Sequence, residues 1–209
     1  MVKWETSLDR REILVKRTLI FALLFTILLS TAVTADFVPE TDYMALMMEA
    51  AAAGDEAAGL AAEASRAEKI DTLELDNIKI PYEDLVLLAK IIHAEAGSAW
   101  LPMDWKMSVG EVVLNRIASP EFPDTMREVV EQPGQYYGKN SRYFNSLKPS
   151  MESLEAAKRL LAGERVLCNP AVVFQSNGRQ GSGVFLELKD RYLGSTYLCF
   201  SNRMELYET

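Results

Sequence analysis

The chain predicts an α+β domain. Apolar residues recur at helical spacing on two stretches between Tyr82 and Ala118, while short strand-like runs of β-branched and aromatic residues follow after residue 170. Proline- and glycine-rich breaks separate the two kinds of text. Helices first and strands last place a small antiparallel sheet against one side of a helical core.

The first 35 residues are expected to lie outside that fold. A charged region ends at Lys16 and Arg17, Thr18 to Leu29 is apolar apart from threonine, and Val33-Thr34-Ala35 offers a small-residue cleavage pattern before Asp36. That order is a secretory signal. The run from Thr18 to Ala35 also approaches the shortest membrane span, so an uncleaved anchor is the alternative. Either way the remainder is exported or held at the membrane, and its substrate lies outside the cytoplasm. Residues 36–79 are alanine-rich and acidic, with glycines at 54 and 59 and little to bury after Met48. They read as a partly helical spacer. The compact domain is expected over residues 80–209, and as a monomer.

Composition narrows the function. The chain has 209 residues, 49% of them apolar, and a formal net charge of -8. No Lys/Arg-rich run appears beyond the N-terminus, which argues against nucleic acid as a partner. The two cysteines, Cys168 and Cys199, permit one disulfide in an exported protein, but each sits in apolar text that equally suits a buried thiol.

Within the domain, the first helix runs from Tyr82 to Ala96, with Gly97 as its stop. A second is expected from about Asp104 to Ala118, its apolar side formed by Trp105, Val109, Val112, Val113 and Ile117. Ser119 to Pro123 breaks it. Thr125 and Glu128 have the spacing of a capping box for a short helix ending near Glu131. Pro133-Gly134 is a turn, and residues 134–149 read as an ordered surface loop. Ser150 caps a helix from Met151 to Ala162, stopped by Gly163. Strands follow at Ala171–Gln175, Val184–Leu188 and Thr196–Phe200.

Glu95 is the candidate with the most chemical content. Leu85, Leu88, Ile92 and Glu95 share one helix face. Apolar walls and the negative end of the helix dipole would both favour the protonated carboxyl, which suits a general acid. The plainer alternative is a solvated glutamate in a last turn.

The surrounding residues decide for the first reading. His93-Ala94-Glu95-Ala96-Gly97, Ser108 to Arg116, Ser119-Pro120-Glu121-Phe122-Pro123, Pro133-Gly134-Gln135-Tyr136, Val173-Phe174-Gln175 and Gly181-Ser182-Gly183 occur in order. Together they resemble the spore cortex-lytic family of bacterial cell-wall hydrolases over more than half of the chain. The resemblance implies cleavage of peptidoglycan glycan strands between N-acetylmuramic acid and N-acetylglucosamine. It also implies a catalytic domain related in architecture to lysozymes and lytic transglycosylases, with the catalytic glutamate at Glu95. The chain departs from the usual pattern at Ala99, where many relatives carry a second glutamate, and at Trp100-Leu101-Pro102-Met103.

Hydrolysis of a glycosidic bond normally needs two carboxylates. The nearest candidates for a partner are Asp104 and Glu111, either of which reads equally as an exposed helix residue. A lone acid suffices for a lytic transglycosylase. Gln135, Tyr136 and Tyr137 lie on a loop where sugar contacts are expected, a loop merely anchored by tyrosine packing being the equal alternative, and Phe174 and Gln175 could line the cleft from the sheet, with Phe174 also suited to the core. Asn115 and Arg116 are expected to support the site, Arg116 through a surface ion pair or a buried hydrogen bond. No metal or organic cofactor is implied. A zinc amidase is disfavoured by a single histidine, His93. A cysteine peptidase would have to pair His93 with Cys168 or Cys199. A wall-binding scaffold without activity is the remaining alternative.

Overall fold

A computed structural model describes residues 42–73, 80–136 and 141–208. The signal or anchor segment expected over residues 1–35 lies outside them, as does Tyr137. Among the described residues no helix is long and apolar enough to cross a membrane.

The domain is α+β, as the order of elements predicts. Among the described residues seven α-helices come first: α1 (Tyr43–Ala53), α2 (Glu56–Leu73), α3 (Tyr82–Ala96), α4 (Met103–Ala118), α5 (Met126–Glu131), α6 (Arg142–Ser146) and α7 (Met151–Leu161). Strands β1 (Val172–Ser176), β2 (Val184–Asp190) and β3 (Gly194–Phe200) follow. The sheet is antiparallel with β3 in the middle, in the order β1-β3-β2.

The capping signals act where the sequence places them. The Thr125 hydroxyl accepts the Glu128 amide at the start of α5, and Ser150 accepts the Ser153 amide at the start of α7. The expected loop over 134–149 contains one element that its composition hides, the five-residue α6, capped by Ser141 and anchored by the buried Phe144.

Helix α4 is the centre of the domain. Leu85, Leu88, Ile91 and Ile92 of α3 and Leu154, Ala157 and Leu160 of α7 pack with Met107, Val109 and Val113 of α4. Val112 turns the other way, into a small cluster with Leu167, Val172 and Leu198 beneath the sheet. The helix is therefore covered on more than the one side that its apolar stripe predicts, and Lys106, Glu111, Asn115 and Arg116 are buried with it. Close approach requires Gly110: a Cβ there would come within 2.5 Å of Leu160 and 2.7 Å of Ile92.

The expected spacer needs correction. Its described part is built into the domain. Met47, Met48 and Ala51 of α1 and Ala62 of α2 belong to the main core. Gly59 lets α2 lie directly on α3, because a Cβ would fall 2.1 Å from the Tyr82 ring. The signal was a methionine stripe, Met44, Met47 and Met48 with Ala51, at helical spacing within alanine-rich text.

Candidate active site

Glu95 emerges at the end of α3, where the buried stripe of Leu85, Leu88 and Ile92 meets the surface. Its side chain is exposed. The shielding expected from apolar walls is absent: the buried stripe ends one turn earlier, at Ile92, and Glu95 is exposed. Gln175 of β1 donates from Nε2 to its Oε2 at 3.4 Å.

The helix dipole is also answered. Lys106 of α4 is 2% exposed. Its Nζ donates to the carbonyl oxygens of Ala96 at 2.9 Å and Ser98 at 2.8 Å. A cation thus sits on the last carbonyls of α3 and offsets the negative helix end expected to act on Glu95. Burial lowers the pKa of Lys106 from the usual lysine value, against the pull of Glu152.

On the sheet side, an arginine lies beneath the site. Arg116 is 3% exposed and donates from Nε to the Val173 carbonyl at 2.6 Å. Its guanidinium carbon lies 4.9 Å from the ring centre of Tyr136, 5.1 Å from that of Phe122 and 5.9 Å from that of Phe174. Such a cage attracts a cation to the negative ring faces. Of the two roles expected for Arg116, the buried hydrogen bond is present. Phe174 is held by this cage and by an edge contact to Phe122 at 6.3 Å, so its contacts are those of a packing residue.

Tyr136 joins the cage to the carboxylate. Its ring is partly exposed, but its hydroxyl is buried with no hydrogen-bond partner among the described residues. Burial raises the phenol's pKa above its usual value; Arg116 opposes the rise and the charge of Glu95 adds to it. Arg116 Nη1 and Gln175 Oε1 are likewise buried and unpartnered among the described residues. Two residues that bear on Glu95, Tyr136 and Gln175, thus each keep a buried polar atom that the described fold does not use. Gln135 is exposed in the turn and its backbone amide donates to Gln132.

Other polar residues of α4 have structural work. Asn115 donates from Nδ2 to the carbonyls of Asn169 and Val172 at 2.9 and 3.0 Å, fixing the start of β1. Glu111 is 1% exposed, not the surface residue that one reading allowed. Its carboxylate accepts the amides of Val166, Leu167 and Cys168 at 2.6, 2.9 and 3.0 Å. Three successive N–H groups form a nest around it, closed by the left-handed backbone of Cys168 at φ 51°. Asp104 is exposed at the start of α4, where its charge acts on Arg159 of α7. Ala99 is exposed in the turn after α3.

The rival constellations are not assembled. Cys168 is exposed and Cys199 buried, and both are free, so the disulfide open to this sequence does not form. His93 faces α7: its Nδ1 accepts the Ser150 amide at 3.2 Å and lies 3.4 Å from the Ser153 hydroxyl. Neither cysteine is its partner.

No curated protein and no solved structure matches the chain. A family model described as Cell Wall Hydrolase does match, over residues 102–189. The match takes in Asn115, Arg116, Gln135, Tyr136, Phe174 and Gln175 and begins seven residues after Glu95. The segment that carries the buried charged groups of α4 and the first two strands of the sheet is thus similar to the cell wall hydrolase family.

Proposed function

We propose that this peptidoglycan-degrading protein cleaves glycan strands between N-acetylmuramic acid and N-acetylglucosamine, as a lytic transglycosylase with Glu95 as acid and base. The observation that carries this reading is the setting of Glu95: an accessible carboxylate beside Gln175 and Tyr136, next to polar atoms that the fold leaves unpaired. Glu95 protonates the bridging oxygen as the bond to C1 of the muramic sugar breaks. The resulting carboxylate then takes the proton of that sugar's C6 hydroxyl, whose oxygen closes on C1 to give a 1,6-anhydro end. The glycan itself would desolvate Glu95 on binding and favour its protonated form.

A single-carboxylate mechanism is supported by the fate of the two candidate partners. Glu111 is consumed by three backbone amides, and Asp104 lies on the Arg159 side of α4. The helical core with a small flanking sheet is read, in the same proposal, as lysozyme-like. The protein acts outside the cytoplasm, as a monomer, secreted or tethered by its N-terminal segment.

Mass spectrometry of digested peptidoglycan tests this directly. Anhydro-muramic ends are expected; reducing muramic ends alone would establish ordinary hydrolysis. Glu95→Gln is expected to lower cleavage by at least about a hundredfold, the scale of a lost general acid. Undiminished cleavage by that variant would move the chemistry elsewhere. Absence of cleavage by the wild-type protein, with wall binding intact, would make it a scaffold.

A further inference from the structure

The turn that follows Glu95 carries an exposed aromatic corner. Trp100 is 59% exposed and Tyr192, at the tip of the β2–β3 hairpin, is 70% exposed. Their rings meet edge to face, with centres 6.0 Å apart at 73°. Large apolar surfaces left in water in pairs call for an explanation, whereas single ones do not.

The corner is fixed in place from both sides. Trp100 Nε1 donates to Asp190 Oδ2 at 3.2 Å. The other oxygen of Asp190 accepts the amides of Tyr192 and Leu193 at 2.8 and 2.9 Å. Gly194 completes the turn at φ 79°, a conformation other residues adopt with strain. The Trp100 indole has its only donor satisfied, so its ring faces are what it offers to a ligand. Arg191 places its guanidinium carbon 4.7 Å from the Tyr192 ring centre, adding a cation at the rim of an otherwise acidic protein.

Sheet register relates this corner to Glu95. Gln175 pairs with Leu198, and Asp190 pairs with Gly194. Leu198, Thr196 and Gly194 alternate onto one face of β3, so Gln175 and Asp190 belong to the same face of the sheet. Strand rise and spacing put them on the order of 15 Å apart. Gln175 touches Glu95 and Asp190 touches Trp100, so both lie along one side of the sheet.

Resting on the glycan-cleaving function proposed above, we infer that Trp100 and Tyr192 form a distal sugar-stacking subsite for the glycan strand. A pyranose ring has one or both faces built of C–H groups and a rim of hydroxyls. An aromatic face bordered by Asp190 and Arg191 complements both parts. The subsite favours long strands over short ones, because only a strand of several sugars reaches from the corner to Glu95.

The test is titration of the full chain with N-acetylglucosamine oligomers of increasing length, by calorimetry. Trp100→Ala and Tyr192→Ala are each expected to weaken binding of long oligomers about fivefold more than binding of the dimer. Tyr192→Ala is the safeguard against misfolding, since its side chain lies at a hairpin tip; thermal unfolding is recorded for both. Equal losses at every length, wild-type affinity for long oligomers in folded variants, or no binding by the wild-type chain would each overturn the subsite. Length-dependent binding that needs Trp100 in a chain that does not cleave peptidoglycan would keep the subsite and remove the proposed reaction at Glu95.

Discussion

Lys106 donates to the carbonyl oxygen of Ala96, the residue after Glu95, from a position almost sealed from water. One ammonium group therefore holds the last turn of α3 and the Ser98 turn together, and puts a cation on the carbonyls next to the carboxylate-bearing residue. Lys106→Met keeps an unbranched side chain, one atom shorter, but removes both hydrogen bonds. Leaving the Ala96 carbonyl without its Lys106 partner, and the Ser98 carbonyl with the Leu101 amide alone, is expected to cost about 1–3 kcal/mol, read as a fall in thermal stability. Removing a nearby cation also favours the protonated acid, so the alkaline limb of the cleavage profile is expected to move to higher pH. Gln175 and Tyr136 are unchanged in the variant, so a displacement of the profile reports on Lys106. An unchanged profile with lower activity at every pH would limit Lys106 to a structural role.

Tyr136 offers a separation of stability from function. Its buried hydroxyl finds no partner among the described residues, so Tyr136→Phe removes a desolvated polar group while keeping the ring over Arg116. Stability is expected to stay level or rise by about 1 kcal/mol. Cleavage is expected to fall, because the hydroxyl feels the charge of Glu95 and has no hydrogen-bond partner among the described residues. A variant that is less stable and fully active would show the opposite assignment.

Why some of this was legible in the sequence and some was not follows from range. Helix α3 and its stop at Gly97, and α5 and α7 with their hydroxyl caps, are written in neighbouring residues, and the structure returns them nearly residue for residue. Glu95 could be located the same way, but its surroundings could not. They are supplied by Gln175, eighty positions on, and by Lys106 from the next helix. Glu111 and Arg116 look like surface charges on a helix because their partners are backbone groups 55 to 57 residues away. Local pattern carries no trace of such bonds. Helix α6 was missed for the opposite reason: five residues give too short a period to see.

His93 predicts how stability responds to acid. Burial lowers its pKa below the usual histidine value, Lys106 lowers it further, and Glu152 opposes both. The unfolded chain then binds a proton that the folded one resists. Stability from this residue is full above about pH 6.5, the unfolded value, and is lost as pH falls from there toward the lower folded value. His93→Gln cannot take up that proton. Thermal midpoints measured from pH 7.5 to 5 are expected to fall less steeply in the variant than in the wild type. Parallel slopes would show that other groups govern the acid limb.

The N-terminal helices supply a last test, because their sequence reads as a tether and their structure does not. Met47 is fully buried, Met48, Ala51 and Ala62 nearly so, and Tyr82 of α3 lies against Gly59. A chain beginning at residue 80 would expose the surfaces of α3 and α7 that these residues cover. Uncovering two methionine contacts is expected to cost about 2–5 kcal/mol, enough to lower the unfolding midpoint by several degrees relative to residues 42–209. Gly59→Leu makes the same point without truncation: its side chain would displace the Tyr82 ring and lift α2 from α3. Equal midpoints for the two lengths, together with an unaffected Gly59→Leu variant, would return α1 and α2 to the role of a tether.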